Sequence, residues 1–247
     1  MSCLCHRLLR SRRFETSRRP EQSRFERLGY RMQVEIFSDI ACPWCYIGKR
    51  RFQQALERYE HAEDVEVVWR SFELDPRAPR DQTGLTIDHL KDKYGIDHEE
   101  AMRMLDGATR EAATVGLDFR LAHARQANTF DAHRLTHYAA TLGLQERLLE
   151  ALMHAQQVGG EYLGSAETLE RLAVAAGLDR DSVREMLASD AFADAVRADE
   201  DRARSLGISG VPFFVFDSKS GISGAQRSEY FLQALEQLGP GAGRSSQ

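Results

Sequence analysis

The hydrophobic and polar positions of this 247-residue chain change period twice. A short apolar run, Gln33-Val34-Glu35-Ile36-Phe37-Ser38, predicts a strand, and a helical pattern follows from Pro43 to about residue 60. Val65-Glu66-Val67-Val68-Trp69-Arg70-Ser71-Phe72 is rich in β-branched and aromatic residues and predicts a second strand, so the chain opens as a βαβ unit with parallel strands. After Pro76 and Pro79 only helical signals occur, from about 84 to 206. Asp97-His98-Glu99-Glu100 has the form of a capping box for a helix to about Val115, and Asn128 is placed to cap one running to Leu142, with Gly143 at its end. Leu144, Leu148, Leu149 and Leu152, then Leu169, Leu172, Ala173 and Ala176, recur at helical spacing and predict core-facing stripes. A helix over 190–206 ends at Gly207. Strand character returns in Pro212-Phe213-Phe214-Val215-Phe216; a turn from Asp217 to Gly221, a short run Ile222-Ser223-Gly224 and a helix from about Gln226 to Leu238 follow. The expected class is therefore α/β, one domain split into 32–75 and 207–239 by an all-helical insertion at 76–206, with tails at 1–31 and 240–247.

Composition narrows the function classes. Hydrophobic residues make up 42% of the chain, enough for a real core; four cysteines are too few for a disulfide-dense secreted scaffold. No apolar run approaches the roughly 18 residues of a membrane span. The net charge of −5 is uneven: nine arginines against Glu15, Glu21 and Glu26 leave Met1 to Arg31 near +6, and everything after it near −11. An acidic body lacks the clustered Lys and Arg that phosphate contacts need, so neither nucleic acid nor membrane is an expected partner. The basic leader lacks an apolar core after its charges, so a secretory signal is not expected. It reads as a disordered tail, the alternative being an organelle presequence that its three glutamates oppose, and a translation start at Met32 would remove it. Cys3-Leu4-Cys5-His6 groups three soft ligands without a second pair and is assigned no function. A reducing cytoplasm is the expected location, where a CxxC is catalytic or redox-sensing and not structural.

Candidate chemistry sits where the first strand gives way to the first helix. Cys42-Pro43-Trp44-Cys45 spaces two thiols so that the first helical turn brings them to one face, within disulfide range. Free backbone N–H groups and the positive end of the helix dipole stabilise a thiolate on the first cysteine. Pro43 is pre-shaped for the first turn and forfeits no hydrogen bond there. Cys42 is the expected nucleophile and Cys45 the resolving thiol. A CxxC can also form half of a zinc site, as in a metal-binding or chaperone-like module, but the body holds no second such pair. His133 and His137 have a zinc-compatible i, i+4 spacing; with no Glu between them and no third ligand they read as helix-surface histidines, and no metal site is expected.

Taken in order, these motifs resemble the thioredoxin-fold oxidoreductases of the DsbA family, and within them the FrnE type related to 2-hydroxychromene-2-carboxylate isomerases. The residues that carry the resemblance are Ser38-Asp39-Ile40-Ala41-Cys42-Pro43-Trp44-Cys45-Tyr46-Ile47-Gly48, Ser71-Phe72-Glu73-Leu74-Asp75-Pro76, Asn128-Thr129-Phe130-Asp131-Ala132-His133-Arg134 and Gly207-Ile208-Ser209-Gly210-Val211-Pro212-Phe213-Phe214-Val215. It implies a thioredoxin fold interrupted by the helical insertion, with a cis Val211-Pro212 bond beside the dithiol and Val211 backbone groups free for an extended peptide. Pro43, Trp44, Val211, Pro212 and Asn128 would line the substrate site. Asp39 matches the family pattern with two roles open: handling the proton of Cys45 or tuning Cys42, or bonding local backbone N–H groups. A carboxylate there opposes the thiolate, against the dipole. Asn128 is open between a glutathione-like ligand contact and a helix cap.

The resemblance implies thiol–disulfide exchange through a mixed disulfide on Cys42, resolved by Cys45. The partners are a thiol or disulfide substrate and a reducing or oxidising protein, with no tightly bound cofactor and glutathione as candidate co-substrate. Strongly oxidising relatives have Pro-His between the cysteines; Pro43-Trp44 lacks that potential cation, so a milder couple is expected. The alternative is a glutathione-dependent isomerase or transferase acting on an aromatic or polyketide-like small molecule, although those relatives usually carry serine where this chain has Cys42.

Overall fold

The computed structural model describes residues 31–81 and 83–240. The leader, its Cys3-Leu4-Cys5-His6 group and the tail beyond Pro240 lie outside the described residues. β1 (Met32–Ser38) runs parallel to β2 (Val65–Ser71) and antiparallel to β3 (Phe213–Phe216), and β4 (Ser220–Ser223) completes the order β2-β1-β3-β4. Paired on both edges and covered on both faces, β1 is buried nearly throughout, its Val34, Ile36 and Phe37 in the core and its Glu35 buried with them. α1 (Pro43–Leu56) joins β1 to β2. Between β2 and β3 come α2 (Thr86–Tyr94), α3 (His98–Ala113), α4 (Phe130–Thr141), α5 (Gln145–Gln157), α6 (Ala166–Ala175), α7 (Arg180–Ala188) and α8 (Ala193–Ser205), and α9 (Ser228–Leu238) closes the chain.

The sheet is sandwiched. On one face Phe52 of α1 meets Phe214, Phe216 and Phe231 of α9 with ring centroids at 5.4, 6.4 and 5.5 Å. On the other, Phe37 and Val215 pack against Ala203 of α8 and Ile208. α1 stops about a turn short of its expected end. Arg58 and Tyr59 donate their N–H groups only three residues back, a tightened last turn, and buried Tyr59 donates its hydroxyl to the Pro240 carbonyl at 2.8 Å.

The stripes of the insertion are buried as predicted, from Leu148, Leu149 and Leu152 to Leu169, Leu172 and Ala173. They share one continuous core with Ile36, Ile47 and Phe231, so α2 to α7 pack onto the sheet's own hydrophobic layer. A polar tie reinforces this. Buried Lys49 of α1 reaches Glu146 (2.6 Å) and Glu150 (2.7 Å) of α5, and the Trp69 indole N–H donates to Glu146 at 2.6 Å. Asp97 accepts the Glu100 N–H at 2.8 Å, the predicted cap of α3. No helix among the described residues is long and apolar enough to cross a membrane.

Candidate active site

β1 and β2 end together, and the turn after β1 delivers the dithiol to the carboxyl edge of this parallel pair. Cys42 N–H donates to the Asp39 carbonyl and Cys45 N–H to the Cys42 carbonyl, both at 3.1 Å, winding the turn into α1. Cys42 is the N-cap, in extended conformation, and Pro43 opens the helix, so α1 presents its positive end beside Cys42. Both cysteines are free thiols and buried, Cys45 the deeper at 1% exposure against 5%. The Cys42 thiol is directed at the Val211 carbonyl, 3.8 Å away, and the Val211-Pro212 peptide is cis, as the resemblance implied. Cys45 Sγ accepts the Asp39 N–H at 3.4 Å; burial, and after it the neighbouring Cys42, pushes the Cys45 thiol well above its usual range. The outer sulfur therefore faces the rim while the inner one is held as a thiol. A Cβ on Gly48 would stand 2.9 Å from Pro212 Cγ, so glycine is what lets α1 approach the proline ring. Trp44 and Leu74 are exposed.

Behind the dithiol is a buried polar cluster. Asp39 Oδ1 accepts the Ala41 N–H (3.1 Å), its Oδ2 accepts the Leu74 N–H (2.7 Å), and Oδ1 lies 3.5 Å from Nε2 of His133. Burial alone would raise the Asp39 carboxyl; His133 and the two N–H donors outweigh it and hold the group below its ordinary range. Asp39 thus bonds backbone N–H groups on both sides of the site. A carboxyl held ionised carries no proton near neutrality.

The histidines correct the sequence reading. His133 is buried, not on the helix surface, and His137 Nε2 stands 3.1 Å from both Asp199 Oδ2 and Ser71 Oγ. Each has its own partner, so the zinc-compatible spacing is incidental. The sequence did carry a signal: α4 has only Asp131 and Arg134 as formal charges, and a helix without a charged face is buried all round. Asn128 is also displaced from its expected place, because the N-cap of α4 is Thr129. Asn128 sits one residue earlier; its Oδ1 accepts the Phe130 N–H (3.0 Å) and its Nδ2 donates to the Ala78 carbonyl (2.7 Å), tying the segment after β2 to α4. Arg134 is buried and donates to the Met186 and Ala191 carbonyls at 2.8 Å, bracing the α7–α8 corner.

Residues 33–236 match the family described as DSBA-like thioredoxin domain. In structure the chain is similar to the probable DsbA oxidoreductase SCO1869 from Streptomyces coelicolor, with 47% identity, a TM-score of 0.81 and coverage of 84% of this chain and 89% of that one. A 2-hydroxychromene-2-carboxylate isomerase shares the fold at 16% identity and a TM-score of 0.59, covering 83% of this chain and 95% of the isomerase. In sequence, the uncharacterized protein YwbO of Bacillus subtilis (strain 168) is 25% identical over 206 residues, 83% of this chain and 96% of that protein. The mixed four-stranded sheet with its long helical interruption is the expected thioredoxin fold with a helical insertion. The chain belongs to the DSBA-like thioredoxin domain family.

Proposed function

We propose that this protein is a thiol–disulfide oxidoreductase that exchanges a Cys42–Cys45 disulfide with protein or small-thiol substrates. The observation that carries the reading is the position of Cys42 Sγ, at the start of α1 and 3.8 Å from the Val211 carbonyl, with Cys45 one helical turn behind it. In the oxidising direction a substrate thiolate attacks Cys42 Sγ, the Cys42–Cys45 bond breaks, and Cys45 leaves with the electron pair and takes up a proton. A second substrate thiolate then attacks the substrate sulfur of the mixed disulfide and Cys42 leaves as thiolate, so the substrate has lost two electrons and the enzyme has gained them. Reduction runs the same steps backwards. Trp44 and Pro43 form the rim, and Val211 and Pro212 line the opposite side, where backbone groups can meet an extended chain. After oxidising a substrate the dithiol is returned to the disulfide by an oxidising partner, and after reducing one the disulfide is returned to the dithiol by glutathione or a partner reductase.

Cys45→Ala should accumulate mixed disulfides on Cys42, to be identified by mass spectrometry; glutathione as the sole adduct would point to a small-thiol role. Cys42→Ser should abolish exchange. Full activity of Cys42→Ser toward an aromatic substrate would overturn the redox reading in favour of the isomerase or transferase alternative.

A further inference from the structure

The turn that carries the dithiol is held by bonds of two kinds. Within residues 39–45 the Asp39 carbonyl accepts the Cys42 N–H, Cys45 Sγ accepts the Asp39 N–H, and the Asp39 carboxylate accepts the Ala41 N–H. The carbonyl of Ile40 is met from outside. Gln157, the last residue of α5, donates its side-chain Nε2 to it at 3.3 Å, across 117 positions of sequence. A carbonyl can only accept, so the NH₂ end of Gln157 is the end that faces the turn. Ile40 is 0% exposed and Gln157 1%. A primary amide at that depth is costly unless it is bonded, and an apolar side chain of the same length would fill the space without that cost.

This bond fixes one particular degree of freedom. Ile40 and Ala41 are the central residues of a four-residue turn closed by the Cys42 N–H. The peptide between two such residues can turn over by about half a rotation, with little movement of the flanking Cα atoms, from one common turn type to another. Here both of its polar ends are taken, the Ala41 N–H by Asp39 Oδ1 at 3.1 Å and the Ile40 carbonyl by Gln157. Turned over, the peptide would set its carbonyl against the Asp39 carboxylate in place of a donor. Gln157 is itself firmly placed. Its carbonyl accepts the Arg120 N–H at 2.8 Å, the adjacent Gln156 donates to the Arg125 carbonyl at 2.8 Å, and earlier turns of α5 are tied to α1 through Lys49.

We infer that Gln157 is a positioning residue for the dithiol: by holding the Ile40–Ala41 peptide in one orientation it keeps the Ala41 N–H on the Asp39 carboxylate and so favours the reduced form of the Cys42–Cys45 couple, an inference that rests on the thiol–disulfide reading above. The link is electrostatic, since Gln157 makes its bond to the turn and not to a sulfur. In the exchange Cys42 leaves its substrate as a thiolate, and a carboxylate short of a donor in the same turn opposes that charge. The disulfide carries no such charge. A turn free to rotate therefore loses stability chiefly in the reduced protein, whose free thiols are the state in which the Gln157 bond is seen.

The test equilibrates the protein with mixtures of reduced and oxidised glutathione, in which the protein disulfide and two glutathione thiols give the dithiol and one oxidised glutathione. Thiol alkylation reads the fraction of each form. Gln157→Met keeps the length of the side chain and removes the donor. It should shift the equilibrium constant toward the disulfide by roughly 3- to 10-fold, the contribution of one buried hydrogen bond, and the Ala41 amide hydrogen should exchange faster with solvent. An unchanged constant overturns the inference even if the thermal midpoint falls, because a merely structural role lowers the stability of both redox forms alike. The dithiol reading is untouched by that result; it fails separately, if Cys42→Ser retains exchange. Should Gln157→Met fail to fold, the side-chain amide resonances of Gln157 in the unaltered protein decide: a shift between the reduced and oxidised forms is expected, and resonances indifferent to redox state refute the role.

Discussion

Replacing Asp39 with asparagine separates its charge from its shape. The folded protein gives the carboxylate two backbone donors, Ala41 N–H at 3.1 Å and Leu74 N–H at 2.7 Å, besides His133 Nε2 at 3.5 Å. An asparagine of the same size has one oxygen, so one of those buried N–H groups must face an NH₂. The loss combines a charge-assisted bond with an unmet donor, about 2–4 kcal/mol in all. For a domain of this size that lowers the thermal midpoint by roughly 5–10 °C. The pH dependence supplies an internal control. Because the folded-state carboxyl lies below its ordinary range, its stabilisation is complete above the unfolded-chain value of about 3.9 and is lost as pH falls through the folded value. The gap between Asp39→Asn and the unaltered protein, measured by circular dichroism melts, should be full at neutral pH and close in acid. A midpoint within about 2 °C of the unaltered protein at neutral pH, or a gap undiminished in strong acid, would refute the assignment of Asp39 as an ionised anchor of the loops behind the dithiol.

Gly48→Ala sets helix propensity, worth about 1 kcal/mol in its favour, against a Cβ that would lie 2.9 Å from a proline ring atom able to move only with its backbone. The clash costs about 1–3 kcal/mol, so stability should change little or fall modestly while exchange slows as the Val211 carbonyl shifts from Cys42. An unchanged exchange rate would show that the approach of α1 to Pro212 has no part in the reaction. The Cys42–Cys45 couple should be more negative than the about −120 mV of DsbA, since Trp44 brings no cation and Asp39 is held ionised in the same turn. Equilibration with glutathione buffers followed by thiol alkylation measures it, and a value near −120 mV would overturn the argument.

What the sequence made legible was local. The apolar run of β1, the stripes of α5 and α6, the cap at Asp97 and the CxxC at a helix start each follow from periodicity or chemistry within one turn or strand, and each is present in the fold. Asn128 was misplaced by one residue because an Asx bond to Phe130 N–H and a true N-cap use the same side-chain chemistry. Val211-Pro212 came forward only through the family resemblance, for nothing in a Val-Pro pair reveals a sulfur 169 positions away. His133 is buried because α4 packs nearly all of its faces, which a pair of histidines at i, i+4 spacing does not reveal. Glu73 and Glu200 carry no mark at all in isolation; what joins them is one guanidinium, that of Arg197, shared between the turn after β2 and α8.

That distribution gives the helical insertion a chemical part beyond covering the dithiol. The sulfurs, Ser38, Asp39 and Glu73 come from the strand ends and the turns after them, but His133, Arg197 and Glu200 come from α4 and α8. α8 also covers the sheet face opposite α1, and its Arg202 meets buried Glu35 of β1, so the helix that supplies Glu200 is fixed to the strand that leads into Cys42. A thioredoxin-like unit without the insertion would keep its two sulfurs and the proline beside them. It would lose the partner that helps hold Asp39 ionised, and both the burial and, after it, the second carboxyl that together raise Glu73 to about 7. The insertion thus supplies charged partners of Asp39 and Glu73, while the two sulfurs come from the turn after β1 and the first turn of α1.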